Sequence, residues 1–369
     1  MKLKFRKRHV VIAAVNAAAI AGAAVLSIAG SSVASAQKYN YAYERWKGSG
    51  KDSYSQMSCF FNSDAGFTTD TIAGVRGQLL NELKNISVVP EEGQKLCPDA
   101  YSAPVGTAAV KCDVTGRSDA QVTAVGGDFF YFRDFTLIDG AFFTDSDIMQ
   151  DGAVIDRELA WELYGSENVS GMNIYINGVK CYISGVIASP ETDYEKKCIG
   201  KTPQAYVSYD MAAQIAPEAG IDGETGFTKV TCYECIIPDP VENFGLSKIK
   251  SIMKTYGDNV NIIRNDSRFA PSKRAKELKK LPNYAVRNDG IRLPWWENAS
   301  RMTEFRLTYI YAARRVLFAV PILTLIWLAI LAVRSYKRKK PTIKKKLSDT
   351  FEKIRLHFRK PQKSNTTEE

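Results

Sequence analysis

Three stretches of this 369-residue chain hold residue types that do chemistry. The pair in "CYEC" (Cys232 and Cys235) has the spacing of a redox dithiol. Such pairs open a helix, whose dipole lowers the thiol pKa. This one lies in a β-branched, aromatic run, so strand alternation would send the two sulfurs to opposite faces. Structural thiols are the expectation. "CIGKT" (Cys198 to Thr202) has the ending of a phosphate loop, but Glu195 stands where the first glycine is needed. "TDSDIMQDG" (Thr144 to Gly152) offers three aspartates, yet Met149 holds a position where a calcium loop wants an oxygen ligand. A solvated turn is expected there. The two histidines, His9 and His357, lie near the ends. The large region between them therefore lacks the imidazole of Ser–His–Asp and Cys–His catalysis and of most zinc hydrolase sites. Carboxylates are plentiful, but no spacing singles out a pair. The expectation is a chain that is not an enzyme and has no cofactor or metal.

The net charge of +10 is unevenly spread. The first eight residues carry five basic groups and no acid, and residues 334–369 carry 13 basic against four acidic groups, which leaves the middle at −4. Basicity at two ends, each beside an apolar run, is the pattern of membrane flanks rather than of a nucleic-acid surface. The runs are Val10 to Gly30 and Val316 to Val333. Eighteen helical residues reach about 27 Å, close to the hydrocarbon thickness. Arg314 and Arg315 can snorkel at the outer end of the second run. The positive-inside bias puts both termini in the cytoplasm and residues 38–313 outside. The first run has two readings: an uncleaved anchor, from its length, or a signal cleaved after Ala36 in "VASAQ". No cysteine precedes Cys59, so a lipoprotein anchor at the end of this segment is excluded.

The elements that would position these residues follow from periodicity. "QKYNYAYERWKGSGKDSY" reads as a helical stalk broken at Gly48 to Gly50. "YSQMSCFF" reads as a strand, and Ile72, Val75, Leu79, Leu80 and Leu83 have helical spacing behind a cap at Thr69 or Asp70. Residues 86–120 read as loop-rich, with a short strand at "AAVKCDV". "GAVIDRELAWELYG" reads as a strand and a helix capped by Asp156 and stopped by Gly165. Asn177-Gly178 marks a hairpin. "TKVTCYECIIP", "VENFGLSKIKSIMKTYG" and "NVNIIRN" give strand, helix, strand, echoing residues 54–90. The whole reads as an α+β domain of two strand–helix–strand half-units with a β-rich lobe between them. Seven cysteines fall in this exported region, an odd number. Cys181 with Cys198 and Cys97 with Cys112 are the candidate disulfides. Trp295 and Trp296 mark either an interfacial belt or packing on the domain.

"GGDFFYFRDFTLIDGAFFTDSD" (Gly126 to Asp147) holds six phenylalanines and a tyrosine in 22 residues. No convergent polar set accompanies the rings, so they read as fold: a strand alternating large side chains to bury area in a thin unit.

This stretch, followed by "GAVIDRELAWELYGSENVSGMNIYINGVKCYISGVI", resembles the MacB-like periplasmic core domain of FtsX/MacB-type ABC transporter permeases. That family has a G-D-Y/F-F run, a following l-x-G-r-x-f-t-x-x-D segment, a strand–helix ending in L-f-G, and a hairpin ending in G-V. Carried to this chain, the signature falls on Gly127, Asp128, Phe129 and Phe130, on Gly140, Phe143 and Asp147, on Gly165 and Gly171, and on Asn177, Gly178 and Gly185. In layout the resemblance covers roughly residues 54–270, and within it residues 121–188 are specific. It implies a bacterial permease subunit with one span before the exported domain and three after it. Its implied work is to couple a cytoplasmic ATPase to export or to cell-envelope enzymes.

The chain departs from that pattern by having one span after the domain. The expectation is an accessory or half-permease in the plasma membrane, as a homo- or hetero-oligomer, with an ABC ATPase and a multispan permease as partners and no nucleic acid. Its expected parts are a basic terminus at 1–9, spans at 10–30 and 316–333, the core domain at 38–313 with its lobe at about 121–200, and a basic tail at 334–369. The alternative is a cell-envelope binding or scaffold protein that keeps the fold without transport. In the tail, Ile343, Leu347, Phe351, Ile354 and Phe358 recur at helical spacing among basic residues, a stripe that would meet the inner leaflet or a cytoplasmic partner.

Overall fold

The computed structural model describes residues 7–89, 95–190, 192–219, 225–277 and 290–357. Two compact units result: residues 30–309 form one, and the residues before and after form the other.

The second unit is built on α1 (Lys7–Ser35) and the later part of α10 (Trp295–His357). Both helices are long and apolar enough to cross a membrane. Within this unit small residues allow close packing: Ala19 and Ala23 are buried, and a Cβ on Gly22 would lie 3.1 Å from Leu317.

The domain starts with a 3-10 turn (Lys38–Tyr41) and α2 (Ala42–Lys47). These do not form a free stalk. Tyr39, Asn40 and Ala42 are buried against the domain, because the aromatic rings of "KYNYAYERW" find partners there. β1 (Tyr54–Phe61) follows as expected, and α3 (Thr69–Asn85) is capped by Thr68 rather than Thr69 or Asp70, in a capping box with Thr71.

The expected loop region is instead a long hairpin of β2 (Asp99–Cys112) and β3 (Arg117–Gly127), with a bulge between Pro104 and Gly106. Pro and Gly here break the register, not the strand. Then come α4 (Phe129–Arg133), β4 (Leu137–Gly140), β5 (Gly152–Asp156), α5 (Arg157–Tyr164), β6 (Asn173–Ile176) and β7 (Val179–Ile187). Asp156 caps α5 and Gly165 ends it in the left-handed region, as the sequence predicts. Asn177 and Gly178 both have positive φ at the β6–β7 turn, as an Asn-Gly hairpin requires. α6 (Asp193–Ile199), β8 (Gln204–Val207), α7 (Tyr209–Ile215), the two-residue strands β9 (Glu218–Ala219) and β10 (Thr225–Gly226), β11 (Cys232–Pro238), α8 (Phe244–Ile252), β12 (Val260–Arg264) and α9 (Pro271–Glu277) complete the domain.

The main sheet runs β12-β1-β11-β2-β3-β8-β5-β7-β4, with β6 pairing both β2 and β7. It contains two strand–helix–strand half-units, β1–α3–β2 and β11–α8–β12, the first closing on β2 at 99–112 rather than within residues 54–90. Their sheet face toward α3 and α8 is packed with Met57, Phe61, Leu79, Leu83 and Ile249. The β-rich lobe is not a separate sheet. Strands β2, β3, β8, β5, β7 and β6 pair in a closed ring, so the distal half of the long hairpin is shared with the lobe. Closure removes most of the lobe's free edges. Its interior is mainly aliphatic: Val110, Val122, Ile155, Leu159, Ile174, Ile183 and Val207 are buried there, with α5 and α7 covering it.

Candidate functional site

The aromatic stretch does not continue β3 as a strand. Gly127 has φ +66, and a Cβ there would sit 2.4 Å from the Asp99 carbonyl, so only glycine makes the turn. Asp128 follows; its carboxylate accepts from Lys95 at 2.5 Å and from the Asp99 N–H at 3.3 Å. The chain then enters the single turn of α4, which buries Phe129, Phe130 and Phe132 and leaves Tyr131 more exposed. Phe130 stacks on Phe142 at 4.6 Å and meets Phe143 edge-on at 5.1 Å.

These rings pack against the start of α10. Phe129 lies 5.7 Å from Trp296 and 5.7 Å from Tyr206, and Phe135 lies 6.3 Å from Trp295. The tryptophan pair therefore packs on the domain, and Trp296 is almost fully buried. The Arg133 guanidinium sits 4.5 Å over the Trp296 ring and pairs with Glu234 of β11. Burial lowers the Arg133 pKa to about 10, which still leaves it charged at neutral pH.

Beside this aromatic box lies a second buried network. Arg268 binds Glu297 through two contacts of 2.7 Å and Glu304 through one of 2.7 Å. Arg274 reaches Glu304 at 3.4 Å, and Arg301 reaches Glu297 at 2.8 Å. Burial works against the Arg268 charge, but Glu297 and Glu304 more than offset it and raise its pKa. Burial likewise opposes ionisation of Glu297, and Arg268 and Arg301 outweigh it, so its carboxyl lies below the usual range. Asn40 of the 3-10 turn donates to Ser300 of α10 at 2.8 Å. Asn265 donates to Ser58 at 2.8 Å, and Ser58 donates to Glu234 at 2.8 Å. One continuous set of contacts thus ties the segment after α1, the first four turns of α10, and strands β1 and β11 together.

The other signature residues are dispersed over turns. At Gly140, φ is +75 and a Cβ would meet the Ser184 carbonyl at 2.2 Å. Asp147 accepts from the Thr144 N–H and hydroxyl, closing the 144–152 turn, whose Ile148 and Met149 are exposed. Gly171 lies in the turn before β6, and Gly185 lies on β7 beside the Ala141 carbonyl. None of these turn residues contacts the network around Arg268 in the described contacts.

The cysteines are all unpaired in the structure. Cys97 lies two residues before the start of β2 and Cys112 is its last residue, so the length of the strand separates them. Cys181 points into the interior of the strand ring, while Cys198 on α6 lies 3.6 Å from the Met302 sulfur. Neither expected pair is bonded. Cys232 faces the aromatic box and Cys235 the opposite side of the sheet, as alternation requires, and burial raises both thiol pKa values, that of Cys232 to about 12. In "CIGKT", Gly200 caps the C-terminus of α6, the wrong helix end for a phosphate. A cleft of about 360 Å³ borders Trp295 and Trp296. Hydroxyls and amides of Ser102, Gln121, Thr123, Thr202 and Gln204 line it, with no aspartate, glutamate or histidine among its described lining.

Residues 12–230 match the sequence model of the MacB-like periplasmic core domain. The chain belongs to that family. The match starts inside α1 and stops before β11, so it lies further toward the N-terminus than the layout expected from the motifs. Among solved structures, the extracellular domain of the noncanonic ABC-type transporter YknZ from Gram-positive bacteria is 13% identical over 56% of this chain and 99% of its own, with a TM-score of 0.38. The periplasmic region of MacB from Actinobacillus actinomycetemcomitans is 14% identical over 63% and 94%, with a TM-score of 0.37. At these TM-scores the superpositions add nothing to the family match. No curated protein matches.

Sequence reasoning found α4's signature but not its use. It missed Arg268, Glu297 and Glu304 altogether. The available signal was Glu297, Arg301 and Glu304 on one helical face directly after a tryptophan pair.

Proposed function

We propose that this chain is a non-catalytic accessory subunit or half-permease of an ABC-transporter-type complex in a bacterial plasma membrane. α1 and α10 cross the membrane through residues 10–30 and 316–333, both termini are cytoplasmic, and residues 38–313 lie outside. Membership of the periplasmic core domain family supports the extracytoplasmic placement. The coupling role rests on one observation: the buried Arg268–Glu297–Glu304 network grips the first turns of α10 inside the domain. The start of a helix held this way moves with the sheet it is bonded to. The charged network fixes the geometry of this hold, and the buried Trp296 ring covers Arg133 beside it.

The partners on this reading are an ABC ATPase and a multispan permease. Affinity purification of the full-length chain from its own cells in mild detergent, with partners identified by mass spectrometry, tests it. Recovery of an ATPase with a multispan permease supports the proposal. Recovery of wall enzymes or surface proteins with no ATPase would replace it with the envelope-scaffold alternative.

A further inference from the structure

The later part of α10 carries an unpartnered face. The helix is unbroken to His357, about 36 Å beyond the last apolar residue of the span, Val333. Leu347, Phe351 and Ile354 stand exposed along it, with 68% of Phe351 accessible. At about 100° per residue, positions 347, 351 and 354 fall within about 60° of arc. Phe358 itself lies outside the described residues. A stripe this narrow and this apolar does not stay in water by choice.

The charges around it select the occupant. By the same period, Arg355 flanks one edge of the stripe and Lys353 lies beyond the other, while Asp349 and Glu352 fall on the far side. A protein groove would need no such segregation. A flat anionic surface does: the apolar stripe enters the acyl boundary, cations at both borders reach the headgroups, and the acids turn to water. Pro341 lies between the span and the stripe. Lacking an N–H, it leaves the Lys337 carbonyl without its helical donor, so bending there costs the helix less than elsewhere.

We infer that residues 342–357 form a docking surface for an anionic lipid leaflet, folding flat at Pro341 and held by the stripe and the cations beside it. The inference stands apart from the accessory-subunit reading, because it needs lipid alone.

Full-length protein in nanodiscs tests it. Discs of phosphatidylcholine alone are compared with discs that also contain phosphatidylglycerol, and trypsin cleavage after Arg355 is timed by mass spectrometry. Cleavage is expected to slow on the order of tenfold in the anionic discs, and high salt is expected to restore it. Phe351→Asp, and separately a triple change of Lys344, Lys346 and Lys353 to Gln, should each abolish the slowing while cleaving like the parent in neutral discs. Equal cleavage in both discs overturns the inference. So does protection that appears only when co-purified protein subunits are added, which would assign the face to a protein partner.

Discussion

The strand ring of the lobe and the junction at the start of α10 are both buried, and they are held by different forces. The ring is filled by aliphatic side chains on strands that close on one another. The junction buries Arg133, Arg268, Arg274, Glu234, Glu297 and Glu304 among aromatic rings. Aliphatic packing is non-directional and gives a stable body. Ion pairs in a dry site depend on geometry, and breaking one costs more than making it gains. The ring is suited to being a rigid body, and the junction to fixing one helix in one orientation on it.

The largest effect that can break this contrast is at Arg268. Arg268→Met leaves Glu297 and Glu304 buried without their main partner, at a cost of about 3–5 kcal/mol. Hydrogen exchange should rise first in residues 295–309, with the ring strands protected. Phe129→Ala removes the ring packed on Trp296 and should cost about 3–5 kcal/mol, again exposing α10 first. Ile155→Ala empties part of the ring interior, at about 2–5 kcal/mol, and should lower the melting point of the domain without selective exchange at 295–309. If Ile155→Ala and Arg268→Met give the same exchange pattern, the two regions are not separate in function.

Next in size is a pH effect in the lobe. Burial raises the Asp156 pKa to about 7, against the Leu159 and Gln204 N–H groups it accepts from. The folded state therefore holds a proton that the unfolded chain releases near pH 4. This stabilisation is complete below that pH and is lost as pH rises to about 7, by on the order of a few kcal/mol. Asp156→Asn should flatten this slope in melting curves, and an unchanged slope would assign the titration elsewhere. The smallest effect is at Trp161, exposed on α5, where Ala should change stability by about 0.5 kcal/mol or less.

Local signals made much of this legible. β1, the Asp156 cap, the Gly165 stop and the Asn177-Gly178 turn each depend on neighbours within a few residues. β2 was hidden because "DAYSAPVGTAAVKC" is rich in Ala, Ser, Pro and Gly, and its strand state comes from pairing with β3, β6 and β11. α4 was misread as a strand because one helical turn is too short to show a period. The junction was invisible for another reason: Arg268 lies 29 residues from Glu297 and 36 from Glu304, and only the fold brings them together.

The most direct test of coupling is the ATP hydrolysis rate of the co-purified complex with three forms of this chain: parent, Arg268→Met and Ile155→Ala, at a temperature where all three remain folded. The account predicts that Arg268→Met lowers the rate toward that of a complex lacking the chain, while Ile155→Ala keeps it near the parent. Equal rates for Arg268→Met and parent would show that motion does not pass through the junction and would contradict the account.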